Sequence, residues 1–223
     1  MCGIAGIMYR GAEQSFDTGE ALIQMLDGCQ HRGPDSTGFA LYGAAQSGQL
    51  KLRFFLDNEQ DTEETIQTIR GRLSELGAVI KEEAQVADNY RVTVTYKDDV
   101  QKLAYEMEHT AKVVSIGSSL EIVKDVGSAH DVDDRYDVHN FRGTHGLGHV
   151  RLATESDVKP EAAHPFWATG FADVAIVHNG QITNYWKMRR RLEQRGFEFT
   201  TDNDSELIAV YLADKMAQGI ALN

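Results

Sequence analysis

The chain opens with Met1-Cys2-Gly3, and Cys2 begins an apolar run, Cys2-Gly3-Ile4-Ala5-Gly6-Ile7-Met8, that reads as a buried strand and not as a loose terminus. A start of this kind ties the first residues to the core. Cysteine is small, so removal of Met1 by an aminopeptidase is expected. Cys2 would then carry both a thiol and a free α-amine. Such an amine has a reference pKa of about 7.7–8.0, so it can act as a base near working pH. A nucleophile activated by its own terminal amine is a known catalytic arrangement. The alternative is a small buried hydrophobe at the start of a strand, the usual fate of a free cysteine. Cys2 alone favours that alternative; the later motifs reverse the balance.

Composition narrows the class. The 223 residues are 42% hydrophobic and 25% charged, which suits one good core or one domain plus an insert. A net charge of −12 argues against a nucleic-acid or anionic-membrane surface. No stretch approaches a membrane span, and the N-terminus lacks the basic and long apolar regions of a signal peptide. The only cysteines are Cys2 and Cys29, which is neither a disulfide framework nor a zinc pattern. That usage fits a reducing cytoplasm.

Along the chain, 19–30 carries Ala21, Leu22, Met25, Leu26 and Cys29 at helical spacing. A loop, His31-Arg32-Gly33-Pro34-Asp35-Ser36, follows, and then a strand over 37–43. Residues 48–128 change texture. Strands are expected at 50–56, 90–96, 113–116 and 120–126, with helices at 62–76 and 98–109. This β-α-β-α-β-β pattern suits a small α/β module of the ferredoxin-like kind. It holds no metal cluster and no phosphate loop, so it reads as a structural or partner-contacting insert. The polar run 128–141 reads as a solvated linker; its His and Asp residues fit no defined metal spacing. A strand is expected over 146–154 and another over 174–182, ending in an Asn-Gly turn. A helix at 184–195, a short strand at 197–199 and a capped helix at 206–216 complete the pattern.

Four pieces stand in order: Cys2-Gly3-Ile4, His31-Arg32-Gly33-Pro34-Asp35-Ser36-Thr37-Gly38, Gly148-His149-Val150-Arg151-Leu152-Ala153-Thr154, and His178-Asn179-Gly180 followed by Thr201-Asp202-Asn203-Asp204-Ser205-Glu206. Together they resemble the class II glutamine amidotransferases, which are N-terminal-nucleophile hydrolases. The likeness covers nearly all of the chain outside 45–145. It implies an α+β fold, a four-layer α/β/β/α sandwich, with 1–223 as the amidotransferase domain and 48–128 as an α/β insert within it. The family's sandwich continues with further strands, so an incomplete C-terminal half is expected.

The resemblance also implies roles. Cys2 would attack the glutamine amide, with its own amine taking the thiol proton. The Asn179 side chain and the Gly180 N–H would stabilise the oxyanion. Arg151 would grip the substrate carboxylate, since its guanidinium fork matches carboxylate geometry, and Thr154 would assist. Asp204 would pair with the α-ammonium. Arg32 and Asp35 would set the loop over the nucleophile. His31, His149, His164 and His178 are candidates for acid–base work, but a terminal cysteine carries its own base, so they are expected to shape the pocket. No cofactor and no metal is implied.

Two departures bear on pocket closure: Leu152 follows Arg151 where several members carry an aromatic, and Glu155-Ser156 follows Thr154. With a long insert and no synthase domain in 1–223, the chain looks most like the amidotransferase subunit of glutamate-synthase-like enzymes of the N-methylglutamate synthase type. Its expected partners are L-glutamine and a separate ammonia-accepting synthase subunit; self-association stays open. The alternative is a catalytically silent subunit that senses glutamine or serves assembly.

Overall fold

In the computed structural model, which describes residues 2–10, 16–56, 61–152 and 158–221, the opening apolar run forms strand β1 (Gly3–Met8). Helix α1 (Thr18–Asp27) follows, then β2 (Ser36–Tyr42). The middle of the chain forms β3 (Gln49–Phe55), α2 (Thr62–Glu75), β4 (Val79–Val86), β5 (Asn89–Thr95), α3 (Val100–Glu108) and β6 (Val113–Gly117). Then come β7 (Leu120–Val126), α4 (Ala129–Tyr136), β8 (His145–Arg151), β9 (Phe166–Trp167), β10 (Ala175–Ile176), α5 (Tyr185–Glu193) and α6 (Asp204–Ala217).

Two antiparallel four-stranded sheets result, in the orders β1-β8-β2-β7 and β4-β5-β3-β6. The architecture is mixed α and β with antiparallel sheets, compatible with the expected α+β sandwich. The second sheet has the β-α-β-β-α-β order of the ferredoxin-like motif. Sequence reading missed β4, whose Lys81, Glu82, Glu83 and Gln85 leave a short apolar alternation. That sheet closes at Gly117; β7 belongs to the first sheet, paired with β2 from Ser36↔Val126 to Tyr42↔Leu120.

The β6–β7 turn joins the sheets, and Asp173 holds it. Its carboxylate accepts hydrogen bonds from the N–H groups of Ser118, Ser119 and Leu120 and from both serine hydroxyls, at 2.7–3.0 Å. Burial opposes its ionisation, but these bonds prevail and hold its pKa below the usual value.

The central strand β8 carries different residues on its two faces. Gly146 and Gly148 lie under Leu22 and Leu26 of α1, where an added Cβ would come within 2.7 and 2.9 Å of those side chains. Strand alternation sends His149 and Arg151 to the opposite face. With α4, α1 seals the first face over Phe39, Leu41, Val123 and Val150. The second sheet buries Leu52, Phe54, Val92 and Val94 against Ile69 and Leu73 of α2 and Leu103 and Met107 of α3.

Three further segments differ from sequence expectation. The supposed linker at 128–141 contains α4, opened by a capping box between Ser128 and Asp131 and buried through Ala129, Val132 and Tyr136. Polar neighbours mask that one-sided apolar spacing. Strand pairing in 174–182 stops at Ile176, because the chain then turns to meet the start of α6. Phe197 and Phe199 pack beside Leu192, Leu207 and Val210 without forming a strand.

Candidate active site

Register places the nucleophile candidate. Strands β1 and β8 pair as Gly3↔Val150 and Ile4↔His149. One further step along this antiparallel ladder brings Cys2 level with Arg151. Cys2 is a half-buried free thiol. Arg151 is only 7% exposed. From the other side of the chain, the Asn179 side-chain amide donates to the Cys2 carbonyl oxygen at 3.4 Å, a long contact.

The loop after α1 packs on the same strand end. An added Cβ at Gly33 would lie 2.4 Å from the Val150 carbonyl carbon and 2.6 Å from the Arg151 nitrogen, so only glycine fits there. The Asp35 N–H donates to the Arg151 carbonyl at 3.1 Å, and the Asp35 carbonyl accepts from Gly127 at 3.0 Å. Asp35 is half-buried and Arg32 exposed, like His31. Burial pushes the Cys29 thiol pKa up, and the positive charge of Arg32 offsets this only in part.

The segment 200–206 turns each of its polar residues to use. Asn203 caps α6 by accepting from the Ser205 N–H at 2.9 Å. Asp204 accepts from the Ile182 N–H at 2.8 Å, and its other oxygen lies 3.6 Å from His178 Nδ1. The Ser205 hydroxyl meets His164 Nε2 at 2.8 Å and His178 Nδ1 at 3.3 Å. Glu206, 1% exposed, accepts from the Thr169 hydroxyl and from both the N–H and the hydroxyl of Thr200 and Thr201.

His164 stacks on His149 with ring centroids 4.2 Å apart. Burial pushes His149 down to about 4, aided by the positive charge of Arg151. Burial likewise holds His164 well below the usual histidine range. Both rings are therefore neutral at pH 7 and suited to shaping the site. Lys124 anchors the segment that carries His164. Its ammonium donates to the carbonyls of Glu161, Ala163 and Pro165 at 3.1, 2.9 and 3.4 Å.

The structure thus gathers Cys2, Asn179 and Arg151 at one end of the first sheet, and connects Gly180 and Asp204 to them through the His178–Ile182 turn. Thr154 lies outside the described residues. Sequence reasoning missed Ser205, Glu206 and Lys124 as organisers. The signal available for the first two was their place in Asp202-Asn203-Asp204-Ser205-Glu206; Lys124 carried none. Among the described residues, no three His, Cys, Asp or Glu side chains are grouped to hold a metal ion. Of the His/Asp run, His130 pairs with Asp27 and His139 with Asp133.

The class of protein to which this fold and this grouping of Cys2, Arg151 and Asn179 belong comes from comparison with known proteins. The family model for a glutamine amidotransferase domain matches residues 123–220. A provisionally named glutamine amidotransferase of Methanothermobacter thermautotrophicus is 37% identical, over 100% of this chain and 75% of its own length. The glutamine amidotransferase-like protein GlxB of Rhizobium meliloti is also 37% identical, over 98% of this chain and 71% of that protein. The chain belongs to the glutamine amidotransferase family. More distantly, a glutamine–fructose-6-phosphate aminotransferase of Methanothermobacter thermautotrophicus is 32% identical over 55% of this chain and 21% of its own. Glutamine-dependent amidotransfer is the general activity this membership supports. Among the described residues, no helix is long and apolar enough to cross a membrane.

Proposed function

We propose that the chain is the glutaminase component of an amidotransferase, built as an N-terminal-nucleophile hydrolase, with Cys2 as nucleophile once Met1 is removed. The observation that carries this reading is the β1–β8 register, which sets Cys2 level with the buried Arg151 while Asn179 reaches the Cys2 carbonyl. The α-amine of Cys2 takes the thiol proton, and the thiolate adds to the glutamine amide carbon. Asn179 and the Gly180 N–H receive the oxyanion. The C–N bond breaks, the departing nitrogen takes the proton from the α-ammonium and leaves as ammonia, and water splits the thioester to glutamate. Arg151 and Thr154 hold the substrate carboxylate, Asp204 holds its ammonium, and Arg32 and Asp35 shape the loop over the site. These steps call on no cofactor.

The ammonia passes, sheltered from water, to a separate synthase subunit of the glutamate-synthase-like kind. In this reading the insert expected over 48–128, whose last strand β7 pairs with β2 of the first sheet, is structural or in contact with that partner, and the two free thiols suit a reducing cytoplasm. Intact-mass analysis after exposure to a glutamine-mimicking diazo ketone tests the proposal. One adduct on Cys2, in a chain lacking Met1, is expected. A chain that hydrolyses glutamine with Met1 retained would rule out the amine base, and an unlabelled Cys2 would rule out the nucleophile.

A further inference from the structure

The turn His178-Asn179-Gly180 has almost no sheet pairing to hold it, since β10 ends at Ile176. Its position must come from side chains. Two consecutive residues at the start of α6 grip it at both ends. Asp204 takes the Ile182 N–H, and the Ser205 hydroxyl takes the His178 ring. The His178 ring in turn folds under Gly180, whose added Cβ would lie 2.7 Å from Nε2. Ring orientation at His178 is therefore coupled to the backbone that presents Asn179 and the Gly180 N–H.

Ser205 also reaches the opposite way. Its oxygen lies 2.8 Å from His164 Nε2, and His164 is fixed to the first sheet. The carbonyl of His164 sits where an added Cβ of Gly38 would come within 2.0 Å, and Lys124 ties down the carbonyls on either side, at Ala163 and Pro165. His164 Nδ1 has no hydrogen-bonding partner among the described residues, so Ser205 supplies the one side-chain hydrogen bond described for that ring. A hydroxyl can donate to one histidine and accept from the other. Ser205 is 1% exposed, so water does not take over either bond.

We propose that Ser205 is a positioning residue, linking His164 on the rigid sheet to His178 so that Asn179 and Gly180 face Cys2 in the geometry the oxyanion needs. This rests on the glutaminase reading above. Of the substrate-gripping groups, Arg151 lies on β8 and Asp204 has its own hold on the Ile182 N–H, so loss of the link falls on kcat more than on KM.

The test compares the wild-type chain with Ser205→Ala and His164→Phe, the second keeping a ring on His149 while removing the partner of Ser205. Each is measured for glutamate release, for the rate of Cys2 labelling by the diazo ketone and for thermal unfolding. A kcat about 10–100-fold lower, with KM changed less than about threefold in a folded protein, is expected for both. A folded variant with unchanged kcat, or with KM raised as much as kcat falls, overturns the proposal. If Ser205→Ala does not fold, His164→Phe alone decides by the same criteria. A wild-type chain that takes no label at Cys2 overturns the underlying glutaminase reading instead.

Discussion

The side-chain amide of Asn179 donates to the carbonyl oxygen of Cys2 at 3.4 Å across 177 residues of sequence. This contact joins the turn after β10 to the start of β1, two segments with no strand pairing between them. If Asn179 serves the oxyanion, Asn179→Ala lowers kcat for glutamine hydrolysis by roughly 10²–10³, as removal of one oxyanion donor does elsewhere. Glutamine binding, measured by calorimetry on a Cys2→Ala background, stays within about threefold. An Asn179→Ala chain with full kcat removes the residue from the mechanism.

Glu206 tests stability separately from chemistry. Its carboxylate accepts from five donors in a buried site. Glu206→Gln replaces one acceptor oxygen by an NH2 group facing those donors. A loss of roughly 2–3 kcal/mol is expected in denaturant unfolding. Arg72→Ala, which removes exposed pairs to Glu75 and Glu106, should change stability by less than about 1 kcal/mol. Equal effects for the two would refute the distinction.

The buried histidines set a pH dependence. His149 titrates near 4 in the folded chain, against 6.5 for a free ring, because burial penalises its charged form. Below pH 6.5 the unfolded chain therefore takes up a proton that the folded ring refuses. Stability falls as pH drops from 6.5 toward 4, by on the order of 3 kcal/mol for His149, and its contribution levels off below that. His164 acts in the same direction. Urea unfolding at a series of pH values should show a shallower slope in His149→Phe than in the wild-type chain; parallel slopes would exclude His149 as the source.

Two glycines make a matched pair. Gly33→Ala drives a Cβ into the backbone of Val150 and Arg151, so it should cost more than about 2 kcal/mol and raise KM for glutamine by displacing Arg151. Gly71 lies inside α2 with no atom within 4 Å of its added Cβ. Gly71→Ala should stabilise the chain by about 0.5–1 kcal/mol through helix propensity. Thermal unfolding of the two variants, shifting in opposite directions, is the expected outcome.

Local signals in the amino-acid sequence carry much of this fold. The opening strand, α1, α2, α3, α6 and strands β3, β5 and β6 of the second sheet follow from apolar periodicity and capping residues. α4 is hidden because its three buried residues stand among charges, and β4 because its alternation is mostly exposed. The site divides along the same line. Cys2, Arg151, Asn179 and Asp204 stand in motifs whose residue types announce a chemistry. Ser205, His164 and Lys124 act only through distant partners: a serine at the start of a helix reads as a cap, and a lysine in a strand reads as surface. Their roles depend on what the fold brings against them.

The pairing of β1 with β8 also has a consequence for how the protein is made. During translation β1 leaves the ribosome with its apolar side chains exposed, and its sheet partner among the described residues, β8, is about 140 residues away, which at roughly 5–20 residues per second is a wait of about 7–30 s. Through that interval β1, which follows directly on Cys2, is an unpaired edge, open to association with other chains. Slower synthesis lengthens this exposure, so the yield of correctly assembled protein should depend on the translation rate between β1 and β8 and on the chaperones that shield the nascent strand.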